Sequence, residues 1–276
     1  MIETVQVLGQ PALRLTAADG AQATVLRHGA QIVSWIPAGD QERLYLSPIA
    51  AAGPGQAVRG GIPVVFPQFA SQGPLPKHGF ARDREWRWVE GAERGGVAIG
   101  VLALADDAAT RALWPQAFEL ELTLSVAGLE LEVELAVTNR GDSAFDFQAA
   151  LHSYWRTDDL KHTRLHGLYG TRYLDTLSGQ EHRQEIDPQG FAGAIDRIYR
   201  DVAPPLALSS GFGRMTIVTD RDLPDAVVWN PGPDAVLADL PPGDWQRFVC
   251  VESAAIGRPP RLAPGDEWVA RLSVAA

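Results

Sequence analysis

The chain has 276 residues, 46% hydrophobic and 21% charged, with 24 Lys and Arg against 34 Asp and Glu, a formal charge of −10. That acid excess excludes a general nucleic-acid binder, which needs a basic footprint, and the single cysteine, Cys250, excludes an intrachain disulfide framework or a multi-cysteine metal site. The start, MIETVQVLGQ, lacks the pattern of a signal peptide and no apolar run reaches the length of a membrane span, so a cytoplasmic protein without a membrane partner, taken as a monomer, is expected.

Ala23–Leu26 and Gln31–Ile36 read as the first strands. From Arg59 to Trp88 the character changes. Four glycines and four prolines hold this stretch out of regular structure, and it carries Arg59, Lys77, His78 and Arg82. It reads as a shaped rim that presents cationic and hydrogen-bonding groups to a polar ligand. Residues 56–90 hold five cations against three anions, a net of +2, which leaves −12 for the rest. A locally cationic segment in an acidic chain suits a small anion. Arg84 and Arg87 are expected to be solvated strand residues.

Val97–Leu104 reads as a strand, and Asp106–Leu113 as a short helix with acidic residues at its start and Pro115 beyond its end. From Glu119 to Thr138 apolar residues alternate, and their parity flips at Ala127-Gly128, as a hairpin would require. A strand-like run over Phe145–Ala150 leads to His152, beside Tyr154 and Trp155. Asp196 is either a buried acceptor for hydroxyl groups or a turn cap. Met215–Thr219, Ala226–Trp229, Phe248–Val251 and Trp268–Val274 complete the strands, with Glu252 directly after an apolar run. Loop-like Pro/Gly stretches fall near 53–55, 204–205, 231–233, 241–243 and 259–265. No repeat or linker divides the chain, so one all-β domain over 1–276, a sandwich or barrel with few short helices, is expected.

Glu252 and His152, on opposite sides of a pocket, would make a base–acid couple near neutral pH. Taken singly, each also has an ordinary reading, as a solvated strand-end carboxylate and a hydrogen-bonded core histidine. Other chemistry finds no support. There is no phosphate loop, Gly211-Phe-Gly213 lacks the third glycine of a dinucleotide fingerprint, and no G-x-S-x-G elbow occurs. His162 and His166 lie four apart in a segment that does not read as a helix, so no metal site is expected.

The motifs RGGIPVVFPQF, LPKHGFARDREW, TRALWPQAFELELTLSV, LELEVELAVTN, ALHSYW, AIDRIY, VVWNP and FVCVESA, in this order, resemble the aldose 1-epimerase superfamily, in its D-hexose-6-phosphate mutarotase branch. The resemblance runs from about residue 23 to the C-terminus. It implies a mostly antiparallel β-supersandwich and cofactor-independent interconversion of the anomers of a hexose 6-phosphate. It further implies His152 as general acid and Glu252 as general base, Arg59 and Arg82 near the substrate phosphate, His78 and Asp196 near sugar hydroxyls, and Lys77 at a variable substrate contact. An epimerase of free sugars and a non-catalytic sugar-binding protein on the same fold stand as alternatives. The stretch ASQGPLPK replaces a more usual glycine and is expected to reshape the loop facing the phosphate. Ser253, where proline is common, is expected to leave the backbone after Glu252 less rigid.

Overall fold

The computed structural model describes residues 1–53 and 55–276; Pro54, within the loop expected at 53–55, lies outside the described residues. Among the described residues the strands form four sheets, of nine, eight, four and two strands, with neighbouring strands antiparallel. In the nine-stranded sheet the order is Gln189–Gly190, Arg164–His166, Leu206–Ser210, Gly213–Thr219, Glu267–Ala275, Glu130–Asn139, Phe118–Ala127, Val97–Ala105 and Arg87–Arg94. The eight-stranded sheet runs Gln180–Arg183, Arg172–Asp175, Ile195–Tyr199, Asp225–Asn230, Phe248–Ala255, Ala149–Leu151 and Val64–Val65, with Tyr154–Arg156 also paired to Phe248–Ala255. One large apolar core joins the two sheets, as the expected sandwich requires, and it takes in Leu15, Val25 and Trp35 from the N-terminal four-stranded sheet. No helix among the described residues is long and apolar enough to cross a membrane.

The hairpin Phe118–Ala127 and Glu130–Asn139 shows how the alternation works. Leu120, Leu122, Leu124 and Val126 on one strand and Leu131, Val133, Leu135 and Val137 on the other are all buried. Burying each such side chain contributes about 1.5–3 kcal/mol. Ala127 pairs with Glu130 across a two-residue turn in which Gly128 adopts φ +57°. Leu129, which alternation would place in the strand, sits in this turn and is 48% exposed.

The helix spans Ala108–Leu113. Asp107 caps it: its carboxylate accepts from the Thr110 N–H at 2.7 Å, and the Thr110 hydroxyl accepts from the Asp107 N–H at 2.8 Å.

Several expectations need correction. The run Phe145–Ala150 is two strands, not one: Asp146 pairs with Arg261, whereas Ala149–Leu151 enters the eight-stranded sheet. Arg84 is not a strand residue; it follows a short 3₁₀ turn and stacks over the Phe80 ring at 6.0 Å. Ser253 does not loosen the backbone. It lies inside Phe248–Ala255, laddered to Ala226 on one side and Leu151 on the other.

Candidate active site

The strand Phe248–Ala255 is buried along its whole length, so both of its faces meet protein. Its side chains still divide by parity. Val249, Val251 and Ala255 join the core between the sheets, while Phe248, Cys250 and Ala254 join smaller clusters on the outer face. Glu252 shares the parity of this outer face. It is therefore mid-strand, not at a strand end, and it is 2% exposed.

The histidine sits in the two-residue break between the neighbouring strands Ala149–Leu151 and Tyr154–Arg156. Leu151 pairs with Ser253 and Tyr154 with Cys250, so the register resumes without offset and His152 lies directly opposite Glu252. Side chains so placed are in contact range, and His152 Nε2 stands 3.3 Å from Glu252 Oε1. The His152 N–H donates to the Pro63 carbonyl, which anchors the backbone there.

Two further strands complete the floor. Val227 pairs with Glu252, and Asp196 pairs with Trp229, so all three side chains reach the same cleft. The cleft holds about 250 Å³ and gathers Arg59, Lys77, His78, Arg82, His152, Asp196 and Glu252, which the sequence singled out from four separate segments. This lies just below the usual range of small-molecule pockets, about 300–1,000 Å³.

The cationic rim depends on close backbone packing. Gly61 takes φ +65°, and a Cβ there would lie 2.1 Å from the Ile32 carbonyl oxygen. Only glycine lets the segment after Arg59 pass so near the sheet. His78 itself adopts φ +68°, an uncommon conformation for a non-glycine residue that recurs at functional sites. Its Nδ1 accepts from the Ala70 N–H at 3.3 Å, which leaves Nε2 as the protonated nitrogen. Arg82 Nη2 donates to the Lys77 carbonyl at 2.9 Å. The Asp196 backbone carbonyl accepts from the Thr176 N–H and hydroxyl.

Among the cleft residues that the sequence did not single out are Trp229, Tyr154 and Asp239. Trp229 was visible only within the motif VVWNP, and Tyr154 only as the neighbour of His152. Asp239 carried no local signal at all; it reaches Arg59 Nη2 at 3.1 Å from a distant loop.

Electrostatics mark the same place. Burial raises the Glu252 carboxyl well above its ordinary range, and nearby Asp196 adds to this. Burial likewise drives His152 well down, helped by His78, Arg82 and Arg59. His78 falls to about 3 through burial and the charges of Arg82, Lys77 and Arg59, so it is a neutral donor. Burial foremost, with Arg59 adding to it, lowers Arg82; a bound anion would relieve both effects. Burial also raises Asp196. Buried polar atoms without partners include Arg59 Nε, Arg82 Nε, His152 Nδ1 and Glu252 Oε2, all in residues of this cleft. Each such atom costs about 1–3 kcal/mol, and these four are half of the eight found among the described residues. His162, by contrast, is exposed and faces Asp159 at 3.6 Å.

A carboxyl and an imidazole 3.3 Å apart on the floor of a cleft, beside Asp196 and His78 and below Arg59, Lys77 and Arg82, form an arrangement that can exchange protons with a polar, anionic ligand. The profile of the aldose 1-epimerase family matches residues 11–275. A protein of Cenchrus ciliaris is 32% identical over 274 residues, covering 95% of this chain and 83% of that one, and bears the name "Putative glucose-6-phosphate 1-epimerase". A protein of Escherichia coli K12 with the same name is 32% identical over 240 residues, 84% of this chain and 79% of that one. Among solved structures, YeaD of Salmonella typhimurium superposes with a TM-score of 0.90 at 27% identity, covering 99% of this chain and 92% of that one.

Proposed function

The chain belongs to the aldose 1-epimerase family, and we propose that this mutarotase interconverts the α and β anomers of a hexose 6-phosphate, with Glu252 and His152 as the proton-transferring pair. One observation carries the reading: the buried His152–Glu252 pair, 3.3 Å apart, opens into a cleft lined by Arg59, Lys77 and Arg82.

Anomerisation needs ring opening, rotation about C1–C2 and closure on the other face. Glu252 as carboxylate takes the proton of the C1 hydroxyl, and protonated His152 gives one to the ring oxygen. After rotation the same two groups act in reverse. Each positioned acid or base contributes about 10²–10⁴-fold.

The cyclic sugar therefore meets Glu⁻ and HisH⁺, while the open-chain aldehyde meets GluH and neutral His. In water the reference values are 4.5 and 6.5, a gap of about 2 units, or roughly 2.7 kcal/mol, against moving the proton across. Burial raises the carboxyl and lowers the imidazole, which narrows that gap in the direction a reversible reaction needs.

The cations supply the second half of the reading. A phosphate gripped at the rim, remote from C1, holds the sugar while C1 turns. His78 Nε2–H and the Asp196 carboxylate are placed to bond ring hydroxyls.

The deciding measurement is polarimetry on freshly dissolved α-glucose 6-phosphate, with α-glucose in parallel. Faster approach to anomeric equilibrium for the phosphorylated sugar is expected. A clear preference for free glucose would overturn the substrate assignment, and no acceleration of either would overturn the reaction.

A further inference from the structure

Among the described residues no hydrogen bond fixes the plane of the His152 ring. Nδ1 is buried and unpartnered, and Nε2 faces Glu252. Tyr154 instead lies flat against it, ring centroids 4.9 Å apart and planes within 9°. His78 and Trp229 meet the imidazole edge-on, at 5.5 and 6.1 Å. The stack forms where the chain breaks between Ala149–Leu151 and Tyr154–Arg156 and resumes the same register against Phe248–Ala255.

Tyr154 is held in turn. It is 3% exposed, and its hydroxyl accepts from Arg59 Nη1 at 3.0 Å. Arg59 Nη2 is ion-paired with Asp239 at 3.1 Å. Burial of Arg59 works against its charge, but Tyr154 and Asp239 more than offset this, and its pKa is raised. The run Asp239, Arg59, Tyr154, His152 thus links a rim loop to the imidazole through three consecutive contacts.

We propose that Asp239 and Tyr154 are positioning residues for the epimerase reaction, acting through Arg59 and the aromatic stack to hold the His152 imidazole in line with the ring oxygen. This rests on the reading of His152 as the ring-oxygen acid. Productive proton transfer tolerates about 0.5 Å and 10–20° of misplacement. Tyr154 keeps its ring in place only while its buried hydroxyl stays bonded, and Arg59 offers that bond only while Asp239 holds the other arm of its fork. Arg59 retains free N–H donors for the phosphate, so one guanidinium serves both ends of the substrate.

The test uses Asp239→Asn and Tyr154→Phe in the full chain, assayed on α-glucose 6-phosphate. Both substitutions are near-isosteric, and Asp239 lies at the rim, so folding is preserved. The expected result is a fall in kcat of about tenfold or more in each variant with KM changed less than about twofold. The double variant is expected to be no worse than the weaker single one, because both break the same chain. The limb of the pH profile belonging to His152 is expected to move in both. The groups facing this imidazole are Glu252 on the adjoining strand, His78 and Arg82 on the rim, Arg59, and Tyr154; none of these is altered in Asp239→Asn. A rise in KM with kcat unchanged would overturn the proposal, showing that Asp239 serves only the phosphate grip. So would fully additive losses, or unaltered kinetics. ¹⁵N NMR of the His152 imidazole reads the same chain without turnover: shifted resonances in both variants support it, and unchanged ones overturn it. An inactive wild type with shifted resonances would therefore sink the epimerase reading and leave the positioning chain standing.

Discussion

At the scale of single residues, Glu252 and His152 are each held away from their charged forms. The folded-state pKa of Glu252 lies above the unfolded value of 4.5. From pH 4.5 upward the folded state binds that proton more tightly, so stability declines as pH rises until the folded value is passed. His152 is the mirror case: lowered from 6.5, it subtracts stability as pH falls below 6.5. Glu252→Gln keeps the shape and removes the cost of ionisation. It should cut kcat by about 10² or more while raising Tm at pH 8 by roughly 2–4 °C per kcal/mol relieved, with the gain fading toward pH 4. Calorimetry across pH checks this, and a Tm lowered at pH 8 would refute it. The pair should also shape kcat/KM into a bell. The reactive Glu⁻–HisH⁺ form carries the same number of protons as the neutral pair that burial favours, so the acid limb is uptake of a second proton, expected on His152 below 6.5, and the alkaline limb is loss of the last, expected from Glu252 above 4.5.

At the scale of elements, the hairpin Phe118–Asn139 offers a paired test of where the strand ends. Leu122 is 1% exposed and Leu129 is 48% exposed. Leu122→Ala should destabilise by about 2–5 kcal/mol through lost burial and a residual cavity, whereas Leu129→Ala should stay within about 0.5 kcal/mol. Urea unfolding measures both, and equal losses would mean Leu129 is packed. The alternation and the Gly128 turn were readable in the sequence because both are local. The helix was equally readable, since the Asp107–Thr110 cap spans four residues. The Phe145–Ala150 run misled for the same reason. Its apolar pattern is continuous, but its two halves pair with different partners far along the chain.

At the scale of the whole molecule, an acidic chain of net charge −10 directs three cations into one cleft. On the proposed reading the surrounding field repels a sugar phosphate, and the rim has to attract it. Arg82→Ala should raise KM for glucose 6-phosphate by roughly 10–100-fold, the loss of a charge-assisted contact worth about 1.5–3 kcal/mol, with little change for free glucose. Added salt from 0.01 to 0.15 M shortens the screening length from about 30 to 8 Å and should raise the wild-type KM for the phosphorylated sugar. Equal losses on both sugars in Arg82→Ala would make Arg82 structural.

Legible in the sequence were the sheet-rich class, the hairpin, the capped helix, the cationic segment and seven of the residues that line the cleft. The class, hairpin, helix and cationic segment rest on alternation, capping chemistry and composition, which are properties of near neighbours, whereas the joint assignment of His152, Glu252 and Asp196 is what the resemblance of their motifs implies. Only the tertiary structure decided what those residues are to one another. That Glu252 is mid-strand and dry, that His152 stands opposite it, and that Arg84 leaves the strand to cover Phe80 depend on which strands become neighbours. Asp239 shows the limit most sharply: its bond to Arg59 crosses the cleft between segments far apart in sequence. The charged state of the pair was decided there too, because desolvation is set by everything packed around a group and not by the residues beside it in the chain.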